Sequence, residues 1–219
     1  MGPMWAEFGK DCCKYLEGMF GIVLYNKKTG EFFIARDHMG MVPVYIGVGP
    51  NGEKYVSSEM KTICEVAVDI QMLEPGHYIT NDWQPTRWYN PTWDDLTSLP
   101  SNPVDYKQLR QQITDSVQAH LMTDVPFGVM LSGGLGSSLI AAITMELLKE
   151  GKVILKDGKK AVKTFTIGEK DSPDILAARK VAEFLGTDHH EIILNPEECF
   201  NYVNDAVFHT ETYDPLTIK

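Results

Sequence analysis

Over the first third of the chain, short apolar and aromatic runs alternate with turn chemistry. Residues 19–25 and 31–36 bracket Asn26-Lys27-Lys28-Thr29-Gly30, a hairpin signature in which Gly30 is available for a positive φ. Residues 44–48 and 53–58 repeat the pattern around Gly49-Pro50-Asn51-Gly52, and residues 76–80 add another short strand. These spacings predict a mainly antiparallel sheet region.

From 84 to 103 the periodicity is lost and Pro, Asn, Asp, Ser, Thr and Trp dominate, which marks a connecting segment. We expect a first domain over 1–95 and a second over 104–219. Tyr106, Leu109, Ile113, Val117 and Leu121 then recur at three- and four-residue spacing, predicting an amphipathic helix over 105–122. Beyond it the pattern reads strand 127–131, helix 137–149, strand 162–167, helix 173–185 and strand 190–194. Such βαβαβ alternation predicts a parallel sheet whose ligands sit at the carboxyl ends of the strands. Ser172-Pro173 and Asn195-Pro196 each place an N-cap residue before a proline at the first helical position. The fold class is therefore α/β (α+β overall).

At 219 residues, with 43% hydrophobic and 23% charged residues, the chain has ordinary globular values and room for two modest cores. Its formal net charge of −10 argues against nonspecific attraction to nucleic acid or anionic membranes, so an anionic substrate must be met locally. No apolar run approaches the roughly 20 residues of a membrane helix, and the start lacks a signal pattern, so the expected location is cytoplasmic. Cys12, Cys13, Cys64 and Cys199 contain no CxxC pair and read as ordinary thiols.

The chemistry concentrates in Ser132-Gly133-Gly134-Leu135-Gly136-Ser137-Ser138, which follows a buried-looking strand and leads into a helix. Adjacent glycines let amides turn inward as an anion nest, the helix adds its positive end, and Ser132, Ser137 and Ser138 offer hydroxyl donors. A P-loop would need a lysine here, but none follows until Lys149; the dinucleotide GxGxxG spacing is also absent. What remains is similar to the SGGxDS loop of ATP pyrophosphatases, which release pyrophosphate as they activate a carboxylate or carbonyl. A glycine-rich turn that binds nothing is the alternative reading of this loop taken alone.

The run Asp124-Val125-Pro126-Phe127-Gly128-Val129-Met130-Leu131, continuing into the loop, resembles asparagine synthetases of the glutamine-hydrolysing type. So do Leu16-Glu17-Gly18-Met19-Phe20, Ala35-Arg36-Asp37-His38-Met39-Gly40, Ser58-Glu59-Met60-Lys61, Lys163-Thr164-Phe165-Thr166-Ile167-Gly168 and His189-His190-Glu191, in family order. The resemblance implies part of an N-terminal-nucleophile glutaminase sheet, then the opening of an ATP-pyrophosphatase-type domain. It also implies the family reaction: aspartate is adenylated with Mg-ATP, and ammonia from glutamine gives asparagine. By position, Leu131 and Ile167 would touch the adenine nucleoside and Gly168 would belong to the same ATP site. Ser132, Gly133, Gly134, Leu135, Gly136, Ser137 and Ser138 would hold the phosphates. No catalytic residue is assigned, and Glu59 and Lys61 receive no role.

Three departures bear on activity. The family's nucleophile is a cysteine at the mature amino terminus, whereas here no cysteine precedes Cys12, which implies no glutamine hydrolysis. The family's second ATP segment, SGEGSDE-like, lies beyond Lys219, which implies half a synthetase site. Gly136 stands where the family has the loop aspartate, a hard-oxygen ligand for Mg²⁺, so no metal ligand is assigned and Mg²⁺ binding should be weakened. The expectation is a chain inactive or impaired by itself, with ATP and aspartate as the parent's ligands and glutamine only in the full-length parent. Alternatives are a nonenzymatic remnant that assembles with a full-length synthetase, or a piece of a β-lactam-synthetase-like adenylating enzyme. Exposed sheet edges leave room for a homodimer or for that assembly.

Other groupings carry less. Lys28-Thr29-Gly30 and Ser58-x-x-Lys61 echo serine β-lactamases, but in the wrong order and without SDN. Adjacent His189 and His190 on a strand face opposite ways and make poor joint metal ligands. Arg36-Asp37-His38 reads as a structural turn, and proline within Asn90-Pro91-Thr92 rules out a glycosylation acceptor.

Overall fold

The computed structural model describes residues 1–95, 97, 101–156, 161–212 and 214, and divides into two compact units. Unit 1 comprises Met1–Ser101 together with Asp205–Lys219, and unit 2 is Asn102–Asn204. Among the described residues, antiparallel pairing is confined to the first and parallel pairing to the second.

Unit 1 opens with helix α1 (Gly2–Phe8) and a 3-10 helix, Gly9–Tyr15. Strands β1 (Gly21–Tyr25) and β2 (Phe32–Arg36) form the expected hairpin, closed by Gly30 at φ +74°. β3 (Tyr45–Val48) pairs with β4 (Lys54–Ser57) on one side and β5 (Asp69–Met72) on the other. β6 (His77–Ile79) lies beside β2, and β7 (Thr86–Arg87) beside β6. The sheets run β1-β2-β6-β7 and β4-β3-β5. Two strands depart from the sequence reading, as do α1 and the 3-10 helix ahead of β1. β5 carries no alternation strong enough to announce it, and β7 interrupts the 84–103 segment because pairing with β6, rather than local propensity, makes it a strand.

β2 explains the centre of this unit. Its Phe-Phe-Ile-Ala run is apolar on both faces because both are covered. Phe33 and Ala35 pack with Cys12, Cys13, Trp5 and Trp88, while Ile34 packs with Val44, Leu73 and Ile79. All four cysteines are free thiols; burial raises Cys12, and burial with the neighbouring Cys12 pushes Cys13 to about 12.

The Arg36-Asp37 turn is structural, as its sequence suggested. The Arg36 guanidinium, buried at the end of β2, donates to the carbonyls of Val42 (2.9 Å), Leu73 (2.7 Å) and Gly40 (2.6 Å). Asp37, 1% exposed, accepts four amides, from Phe20, Met39, Met41 and Val42, at 3.0–3.2 Å. The two charges thus neutralise main-chain dipoles in a turn that no helix or ladder could satisfy.

Unit 2 begins with α2 (Tyr106–His120), whose N-cap Asp105 accepts from Lys107 N and Gln108 N. There follow β8 (Gly128–Met130), α3 (Leu135–Lys149), β9 (Lys163–Glu169), α4 (Pro173–Leu185) and β10 (Asp188–Leu194). The sheet order is β10-β9-β8, all parallel. Ser172 caps α4 through Ile175 N, and Asn195 caps α5 (Pro196–Asn201) through Glu197 N, as the Ser-Pro and Asn-Pro pairs predicted. α6 (Val203–Thr210) completes the described helices, and from Asp205 on it belongs to unit 1. Val117 of α2 joins Ile143 and Leu147 of α3 in one cluster, while Leu131 and Ala141 meet Ala178 and Ala182 of α4 in another. Among the described residues no helix is long and apolar enough to cross a membrane.

Burial alone would raise the Asp37 carboxyl, but the four amides more than offset it and hold it below the usual carboxylate range. A depressed folded-state pKa contributes stability that is present above the unfolded value and fades as pH falls through the folded one. We expect Asp37→Asn to cost about 3 kcal/mol at neutral pH. Urea titrations should also show a flatter loss of stability below about pH 4 than wild type.

Candidate functional site

The loop between β8 and α3 is built by three local constraints. β8 and β9 run in parallel register, Met130 beside Phe165, and Leu131 extends the ladder by donating its N–H to Phe165 O at 2.7 Å. The chain therefore leaves the sheet at the carboxyl ends of β8 and β9, the place where open parallel sheets present ligand sites.

Gly133 supplies the second constraint. It lies at φ +76°, and a Cβ there would stand 2.5 Å from Ala177 Cβ and 2.5 Å from Ala178 N. The loop backbone thus rests directly on the backbone of α4, which only glycine permits. The third constraint is a hydroxyl clasp. Ser137 Oγ donates to Gly134 O (3.2 Å), accepts from Ser132 N (3.2 Å) and shares a hydrogen bond with Ser132 Oγ (3.0 Å).

The helix begins two residues earlier than the sequence suggested, at Leu135 rather than Ser137, with Gly134 as its N-cap. Gly136 consequently sits in the first turn of α3. Ser138 N–H donates to Gly134 O at 3.0 Å, and the amides ahead of it are the free donors of a helix start, bearing its positive dipole end. Ser138 Oγ is buried and has no hydrogen-bond partner. A donor or acceptor in that state is costly unless a ligand or water completes it.

The remaining predicted residues fall around this loop in different ways. Ile167 is half-exposed near the carboxyl end of β9, and Gly168 follows it, its Cα hydrogens facing Ser172 Oγ and Ile175. Leu131 is 1% exposed and locked in the cluster with Ala141, Ala178 and Ala182, so what it can offer a ligand is main chain, not side chain. Leu135 projects from the loop tip, 89% exposed. A cavity of about 560 Å³ shares Ser137 with the loop and is otherwise lined by residues of α2, α3, β8 and the α2–β8 connection, among them His120, Phe127, Ile140 and Thr144.

The donor set suits phosphate oxygens: a row of amides at a helix start. It does not suit a hard divalent cation, because the loop's side-chain oxygens are all neutral hydroxyls. Among the described residues no group of three His, Cys, Asp or Glu side chains could hold a metal. A Cβ on Gly136 would meet nothing within 4 Å, so space for a carboxylate is present even though the carboxylate is not.

His189, His190 and Glu191 disperse to separate partners on β10. His189 Nδ1 bonds Thr164 Oγ1 at 2.9 Å, His190 stacks on Phe165 at 5.2 Å, and Glu191 pairs with Arg179 through two contacts of 2.8 and 2.9 Å. Burial lowers His189, whereas the Arg179 guanidinium lowers Glu191. One functional-looking residue escaped the sequence reading: Glu211, whose carboxylate accepts the Met60 and Lys61 amides. An acid 150 residues downstream has no periodic or motif signal that could reveal such a contact.

Comparison with known proteins bears on both units. A family described as asparagine synthase matches residues 108–219, and one described as glutamine amidotransferase domain matches residues 3–116. Asparagine synthetase [glutamine-hydrolyzing] 2 of Oryza sativa subsp. japonica is 42% identical over 217 residues, covering 99% of this chain and 36% of its own length. Asparagine synthetase B [glutamine-hydrolyzing] of Escherichia coli (strain K12) is 38% identical over 221 residues, covering 99% and 40%. The chain thus spans 36% to 40% of the length of these two curated relatives. Among solved structures, an NH3-dependent NAD synthetase from Campylobacter jejuni is similar at 18% identity and a TM-score of 0.35, over 52% of this chain and 45% of that one. That likeness is too loose to carry an argument.

The loop geometry makes opposite demands at two of its glycines. We expect Gly133→Ala to destabilise unit 2 by about 3 kcal/mol, from a disfavoured φ and a clash with α4. Gly136→Asp should be neutral or slightly stabilising, because an acid in the first turn meets the helix dipole in open space. Thermal melts of the two variants beside wild type check both.

Proposed function

The chain belongs to the glutamine-hydrolysing asparagine synthetase family, and on that footing we propose that its 132–138 loop receives the triphosphate of ATP. The parent reaction is aspartate + glutamine + ATP + water to asparagine + glutamate + AMP + pyrophosphate. The observation that carries the reading is the loop itself, an anion cradle at the carboxyl end of a parallel sheet inside the segment that matches asparagine synthase.

In this reading the phosphates lie on the amides of Gly133, Gly134, Leu135 and Gly136, with Ser138 Oγ supplying the hydroxyl that otherwise lacks a partner. Ser132 and Ser137 act indirectly, since their mutual hydrogen bond ties the two ends of the turn together. The nucleoside lies along the main chain at Leu131 and the half-exposed Ile167-Gly168 edge of β9. The aspartate carboxylate attacks the α-phosphorus, and the charge that builds on departing pyrophosphate is spread over prearranged dipoles. Ammonia released from glutamine then displaces AMP from the aspartyl adenylate.

Mg²⁺ in such a site neutralises the triphosphate, and here the loop gives it hydroxyls without a carboxylate. Gly136 is therefore the residue that weakens nucleotide binding in this chain, and synthetase activity of the chain by itself is absent or impaired. Calorimetric titration of Mg-ATP into wild type and Gly136→Asp tests this directly. We expect the variant to bind roughly tenfold tighter or better, about 1.4 kcal/mol. Equal affinities would contradict the role given to Gly136. No response from either folded protein would contradict the assignment of the loop to ATP.

A further inference from the structure

Glu211 follows α6 in a conformation that residues with side chains rarely adopt, φ +55°, with its own N–H donating to Val207 O at 2.9 Å. Its side chain is 9% exposed. The carboxylate accepts the amide of Met60 at 2.8 Å and that of Lys61 at 2.7 Å, and the Tyr45 phenol is near enough to feel its charge. The Lys61 ammonium stands 3.8 Å from the same carboxylate and 5.5 Å from the centre of the Phe208 ring on α6. Four groups from β3 and from the turn after β4 thus converge on one acid near the far end of the chain, all within unit 1.

An unusual backbone conformation persists only where its surroundings over-determine it. Here they do so through charge-assisted hydrogen bonds, the stronger kind. We infer that Glu211 is a latch, its carboxylate fastening the segment around α6 to the 57–62 turn, so that this segment folds as a piece of the antiparallel unit.

The latch has a consequence for the chain as a whole. Unit 1 is discontinuous, and its 57–62 turn depends on an acid that the chain reaches only after passing through the parallel sheet. Burial would raise the Glu211 carboxyl, yet the two amides, the Lys61 charge and the Tyr45 hydroxyl hold it below the usual carboxylate range. It therefore stays ionised and the latch stays closed at neutral pH. The inference stands whether or not the 132–138 loop takes ATP.

Amide hydrogen exchange on the full chain tests it, comparing wild type with Glu211→Ala, Glu211→Gln and Tyr45→Phe. We expect exchange at the Met60 and Lys61 amides and across 203–211 to rise about tenfold or more in both Glu211 variants, the scale of a lost charged acceptor. Tyr45→Phe should raise it less, at the same amides, with Ile34 and Ile79 in the paired strands unchanged throughout. Unchanged exchange at Met60 and Lys61 would overturn the latch, as would a rise spread equally through β2 and β6. If Glu211→Ala does not fold, Glu211→Gln and Tyr45→Phe decide by the same criterion.

Discussion

The contact of Gly133 with the backbone of Ala177 and Ala178 fixes the path of the chain from β8 into α3. Because no side chain separates the loop from α4, the chain turns sharply after Leu131 and enters α3 with its first amides unengaged. The Ser132–Ser137 hydrogen bond then ties the two ends of the turn together. The close approach that completes the helix layer also leaves the first amides of α3 unengaged.

Unit 1 follows a related logic with charged side chains in place of missing ones. Arg36 satisfies three carbonyls, Asp37 four amides and Glu211 two, and in each case the partners are main-chain groups of turns. Buried polar backbone must be paired, and where sheets are short the turns between them need donors and acceptors from elsewhere. These charged clamps act beside the two apolar clusters on either face of β2.

The sequence made the local elements readable where period and punctuation agreed. The β1-β2 hairpin, the α2 stripe, the two proline-marked caps and the βαβαβ alternation all rest on interactions within a few residues, and each appears in the structure. The 132–138 loop between β8 and α3 was legible as a strand-to-helix turn for the same reason. What escaped was long-range: β7 exists because β6 is beside it, and Glu211 matters because Met60 and Lys61 are folded against it. The helix start at Leu135 was missed because Gly134 caps by conformation alone, with no side-chain signal, and this moved Gly136 from the loop into the first helical turn.

The central claim is that phosphate meets this chain at the amides preceding Ser138, without help from a carboxylate. It is tested most directly by NMR titration of the ¹⁵N-labelled full chain with ATP, with and without Mg²⁺. The account predicts that Gly133, Gly134 and Gly136 amide resonances move first and furthest, and move alike whether or not the metal is present. Shifts centred elsewhere, or loop shifts that appear only with Mg²⁺, would contradict it.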